Sequence, residues 1–200
     1  MNISHGRKHF IKQNRHVILV LFFIILGVVS RSLPHLYNFS PIISIAIFSG
    51  FLYGAKRAFL LPIIIMFIGD LFIGFYQIPL MSFVYGSIAL CTILGNYLKT
   101  HKRWIKVFGI SLAGSTLFFL MTNFAVWWLT PWYEKTLFGL MASYIAGLPF
   151  YRNALIGDLF YSIIFFGLYA VIIESRSSQR AVAITHFNQK HEQSSVCLSK

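Results

Sequence analysis

The stretch 105–129, IKVFGISLAGSTLFFLMTNFAVWWL, decides the fold class of this chain. It carries one charge, Lys106, near its start, and no proline. A helix rises about 1.5 Å per residue, so the stretch reaches about 37 Å, enough to cross the ~30 Å hydrocarbon core of a bilayer. Outward from it lie further apolar runs at 17–29, 41–53, 58–76, 80–98, 138–150 and 154–173. The runs from 58, 80, 105 and 154 are long enough to span unaided. Those at 17–29 and 41–53 need flanking residues, with Arg15 or Lys56 reaching back to the interface. The run 138–150 is too short, and Pro149 ends it just before Arg152 and Asn153.

Composition agrees. The chain is 57% hydrophobic and 18% aromatic, with 11% charged residues against the about 25% of a soluble domain. That deficit excludes a surface facing water. The net charge of +12 would suggest nucleic acid in a soluble protein, but the charges cluster between apolar runs and form no contiguous basic stripe with interleaved aromatics. Nucleic-acid binding is therefore excluded. Cys91 sits in an apolar run and Cys197 in a polar tail, so no disulfide framework follows.

Basic residues collect on the cytoplasmic side of membrane proteins, which orients the spans. With the N-terminus inside and six spans, fourteen Lys and Arg residues are cytoplasmic and only Arg31, Lys135 and Arg152 are outside. Counting 138–150 as a seventh span worsens that to eleven against six. The expectation is an all-α, polytopic membrane helical bundle of about six transmembrane helices with both termini cytoplasmic. Its parts are a basic N-terminus at 1–16, a membrane domain at 17–174 and a disordered cytoplasmic tail at 175–200. The run 138–150 is then an interfacial or re-entrant segment on the outer side.

Ionisable groups inside a membrane cost several kcal/mol and mark functional sites. Asp70 lies six residues before Tyr76, the outer end of its run, and Asp158 lies six residues after Arg152. Asn123 lies six residues before Leu129. Each is roughly 9 Å below the outer interface by helical rise. Above them the loop 31–41, with Pro34 and Pro41, joins the first two helices. Trp127, Trp128, Trp132 and Tyr133 gather nearby. Two readings stay open: an aromatic belt with aspartates bonded between helices, or a pocket open to the outside. In the second, Asp70, Asn123 and Asp158 form the floor, Trp127 belongs to the walls, and the loop with Arg31, His35 and Asn38 is the lid. Arg152 and Asn153 stand at the rim. The string Ile-Gly-Asp-Leu-Phe occurs at both 68–72 and 156–160, a coincidence in a chain of this composition. No phosphate-binding loop, metal-ligand spacing or nucleophile elbow is present, so neither a catalytic role nor a metal or cofactor is expected.

Arg31-x-Leu33-Pro34-His35-x-x-Asn38-Phe39-Ser40-Pro41, Phe48-x-Gly50, Pro62 and Asp70-x-x-x-Gly74 resemble a family of uncharacterised bacterial membrane proteins. Thr122-Asn123-Phe124-x-x-Trp127, Gly139-Leu140, Leu148-Pro149-Phe150, Asn153 and Asp158 extend the resemblance across residues 31–167. That family is similar, more distantly, to the substrate-binding (S) components of energy-coupling-factor (ECF) vitamin transporters. The resemblance implies a bacterial cytoplasmic-membrane protein that binds a vitamin or micronutrient under the loop after its first helix. It also implies partners: a transmembrane coupling subunit and two ATPases. One feature departs from the pattern, since the first helix has only Gly27 and Ser30 where S components commonly carry an Ala-x-x-x-Ala-like seam.

Two other functions compete. A stand-alone proton-coupled carrier would use Asp70 or Asp158 to take up and release a proton. An intramembrane aspartyl protease would pair the two aspartates to activate water. Position 67 is Phe where those enzymes have glycine, and no Pro-Ala-Leu element occurs. The ligand's charge is left undecided, because carboxylates at the floor suit a cation and arginines at the rim suit an anion.

Overall fold

The computed structural model describes residues 18–31, 39–99 and 103–198, with side chains through 172. His35 and Asn38, and with them most of the expected lid, lie outside the described residues. The described residues form helices and connecting turns, with no strand among them. The helices are α1 (Ile18–Arg31), α2 (Ile42–Tyr53), α3 (Ala55–Ala58) and α4 (Leu60–Ile73). Beyond them come α5 (Ile78–Tyr97), α6 (Trp104–Leu129) and α7 (Leu137–Leu198). Three helical stretches are long and apolar enough to cross a membrane: α5, α6 and residues Leu137–Ile172 of α7. The chain divides into two units, Met1–Ser162 and Ile163–Lys200.

The centre of the first unit is α2. Every residue from Ile42 to Phe51 is buried, as expected of a helix that is apolar all round. It packs against α4, α5 and α6. Its closest approach is to α5. A Cβ on Gly50 would collide with the Thr92 carbonyl oxygen, and one on Gly95 would collide with that of Ile47. Each glycine lets the partner backbone come nearer than any side chain allows. Around this centre, Phe22 and Ile25 of α1, Leu71 and Phe72 of α4 and Ile105 and Leu112 of α6 point outward and are exposed. Such an apolar exterior suits lipid and not water.

Two turns have local causes. α4 ends one turn after Asp70 because Gly74 takes a φ of 107° and donates its N–H to the Asp70 carbonyl, a conformation that only glycine adopts without strain. α5 opens with Pro79 in its first turn, where a missing N–H costs nothing.

The C-terminal third departs from the expected layout. The run 138–150 is not set apart from 154–173: both belong to α7, and Pro149 lies inside that helix. A proline removes one hydrogen bond, but long helices in an apolar setting keep the rest because no water competes for them. The 36 residues Leu137–Ile172 exceed the ~20 that one crossing needs. The residues from 175 to Leu198 continue α7. They contain Glu, Arg, Ala, Gln and Lys, good helix formers whose polarity says nothing against a helix.

Candidate functional site

Asp70 is 1% exposed and its carboxylate has a partner on each oxygen. The Arg31 guanidinium, at the last residue of α1, forms an ion pair with Oδ1. The Tyr85 hydroxyl of α5 donates to Oδ2 at 2.7 Å. A second nitrogen of Arg31 lies 2.7 Å from the Met66 sulfur, one turn earlier on α4. Arg31 crosses α4 directly over Gly69, where a Cβ would collide with its Nε. Glycine is therefore required beside the aspartate for the arginine to reach it. Arg31, Asp70 and Tyr85 thus tie α1, α4 and α5 together.

Asp158 is also 1% exposed, but hydroxyl groups surround it. Ser115 of α6 donates to its Oδ2 at 2.6 Å, and Ser44 of α2 donates to its backbone carbonyl at 2.8 Å. Behind these, Ser111 donates to Ser162 at 2.8 Å and Ser162 to Ser44 at 3.3 Å. All four serines are 0–1% exposed. Among the described residues the sole ion pair is Arg31–Asp70, so Asp158 has no cationic partner there. The two aspartates belong to separate hydrogen-bonded sets that share no residue, although their surrounding strings of five residues are identical.

Asn123 marks a third place, a cavity of about 150 Å³ between α6 and the first part of α7. Phe118, Phe119, Phe150 and Tyr151 give it aromatic walls, and Ser115, Thr122 and Asn123 give it polar atoms. The Asn123 amide nitrogen donates to the Phe119 carbonyl at 2.9 Å, which fixes the amide's orientation. A Cβ on Gly147, directly opposite, would collide with the Asn123 side chain. Ser115 links the cavity to Asp158, since it lines the first and donates to the second.

The remaining candidates lie apart from these groups. Trp127 donates its indole N–H to the Glu134 carbonyl at 2.9 Å. Lys135 donates to the Thr130 carbonyl at 2.6 Å and to that of Trp127, placing a cation at the negative end of α6. These bonds hold the turn between α6 and α7. Arg152 is exposed and Asn153 half-buried on α7, and neither lines the cavity.

Sequence reasoning missed Tyr85, Ser44, Ser111, Ser115, Ser162, Thr122 and Tyr151. A signal existed for several of them. Ser111 and Ser115, like Asp158 and Ser162, are four residues apart and so share one helix face. Small hydroxyl residues at that spacing are a common device for bonding apolar helices.

Helices without a strand among the described residues, three of them long and apolar enough to cross a membrane, an apolar exterior and buried polar groups bonded between helices are the features of a helical membrane protein. Within that class, the chain belongs to the family of unknown function DUF6580, whose family model matches residues 11–182. No curated protein and no solved structure matches the chain.

Proposed function

We propose that this chain is a membrane-embedded substrate-binding subunit that captures a small molecule, a vitamin or micronutrient, for uptake by an ECF-type transporter. In this reading it crosses the bacterial cytoplasmic membrane six times with both termini inside. A transmembrane coupling subunit and two ATPases complete the transporter. The observation that carries the reading is the cavity between α6 and α7. It contains Asn123, has aromatic walls and a few placed polar atoms, and so has the composition of a small-molecule site. Its size limits the cargo. Drug-sized ligands occupy roughly 300 Å³ or more, so about 150 Å³ takes one ring or the ring-bearing end of a larger molecule.

The test is mass spectrometry of small molecules released on denaturing the purified protein, with Gly147→Leu filling the cavity as the comparison. One compound near a 1:1 ratio in the wild type, and its absence from Gly147→Leu, is the expected result. Purified protein that carries no compound and co-isolates with no ATPase would overturn the reading.

A stand-alone proton-coupled carrier is the second reading, and the absence of a cation beside Asp158 among the described residues favours it. Uptake into proteoliposomes without ATP, collapsing on Asp158→Asn, would distinguish it from the ATP-driven scheme. The separate partner sets of Asp70 and Asp158 give an aspartyl protease, which needs two carboxyls sharing a proton, no support.

A further inference from the structure

We infer that the cavity between α6 and α7 selects an uncharged, single-ring aromatic ligand that donates a hydrogen bond; this rests on the capture reading and specifies its cargo. No ionisable acid or base lines the cavity apart from the Tyr151 phenol. Arg31 and Asp70 are paired with each other, and Arg152 is exposed elsewhere on α7. Asp158 does not line the cavity. Ser115 stands between the two, and its single proton goes to the Asp158 carboxyl or to the Ser111 carbonyl 3.0 Å away. A charged ligand would give up part of its hydration without meeting an opposite charge, which is unfavourable.

Thr122 donates its hydroxyl proton to the Phe118 carbonyl at 2.7 Å. Thr116 donates to the Leu112 carbonyl at 2.8 Å, so the 2.9 Å contact between Thr116 and Tyr151 requires the Tyr151 phenol to be the donor. Every hydroxyl proton on the wall is therefore committed inside the protein. The lining residues are left with acceptors to offer a ligand: lone pairs of Ser115, Thr122 and Tyr151, and the Asn123 carbonyl oxygen, which lies against Gly147 and accepts no hydrogen bond from the described residues. One amide proton of Asn123 is the exception. A hydroxyl can accept while it donates, so a ligand O–H or N–H completes the wall where a bare hydrocarbon leaves it unpaired.

Phe119 and Tyr151 lie with ring centroids 4.7 Å apart at 31°, a tilted aromatic pair in the wall. A dry cavity of roughly 150 Å³ is known to take a benzene-sized guest, which matches the volume here.

The experiment uses the full chain in lipid nanodiscs and four probes: phenol, toluene, benzylammonium and benzoate. Saturation-transfer NMR reads binding, and Gly147→Leu nanodiscs supply the background from lipid partitioning. Phenol is expected to bind above that background, and toluene about tenfold more weakly, the worth of one hydrogen bond. Neither ion should bind. Asn123→Leu, which removes one of the four acceptors, should narrow the gap between phenol and toluene; if that variant does not fold, the phenol-to-toluene ratio of the wild type decides. Toluene equal to phenol, or a preference for either ion, overturns the ligand class and leaves the capture reading standing. Failure of all four probes overturns the ligand class as well, while the capture reading falls only if the purified protein also carries no compound and co-isolates with no ATPase.

Discussion

Arg31→Met tests the account of the buried charges most directly. The substitution keeps an apolar stem across Gly69 but removes the guanidinium that pairs with Asp70. Asp70, at 1% exposure, then keeps only the Tyr85 hydroxyl at 2.7 Å. Removing one partner of a buried ion pair costs about 3–5 kcal/mol, because the other charge is left uncompensated. For a chain of this size each kcal/mol lowers the melting temperature by about 2–4 °C, so the expected fall is about 6–20 °C. Thermal unfolding in detergent micelles, followed by circular dichroism, measures it. The double variant Arg31→Met/Asp70→Leu removes both charges and should recover most of the loss. A shortfall of about 1–3 kcal/mol remains because the Tyr85 hydroxyl loses its acceptor, and adding Tyr85→Phe should remove that as well. The reasoning is refuted if Arg31→Met unfolds within about 2–4 °C of the wild type, or if the double variant is no more stable than the single one.

Four further outcomes follow from the packing. Gly95→Ala, whose Cβ would meet the Ile47 carbonyl oxygen, should destabilise the protein by more than about 2 kcal/mol or prevent folding. Gly86→Ala, with nothing within 4 Å, should be neutral or stabilising by up to about 1 kcal/mol, and parallel melts compare the two. Ser44→Ala removes both the bond to the Asp158 carbonyl and the acceptor of Ser162, so a loss of about 1–3 kcal/mol is expected in denaturant titration. Cys91, fully buried and 3.5 Å from the Gly114 carbonyl, should resist maleimide in the folded protein and react only on unfolding. Mass spectrometry of the adduct at that residue checks it.

The helical class was legible in residues 105–129 alone, because an uninterrupted apolar run of that length has few alternatives. The starts and ends of α1, α2, α5 and α6 fall within a few residues of the apolar runs. The break expected at Pro149 did not occur, since a proline ends a helix only when the freed carbonyl finds a better partner elsewhere. Asp70, Asp158 and Asn123 stood out by residue type.

The sequence by itself determined that the chain is helical and apolar outside, and which three polar residues are exceptional in its interior. Only the tertiary structure decided that those residues belong to three different places. It paired Asp70 with Arg31 and Tyr85, surrounded Asp158 with serines, and set Asn123 beside a small cavity opposite Gly147. The physical reason lies in the rotation of each helix about its axis. An amphipathic helix encodes that rotation in its polar stripe. Helices that are apolar all round do not, so the facing residues are settled by close packing at sites such as Gly50, Gly95 and Gly69 and by the hydrogen bonds that buried polar groups must find.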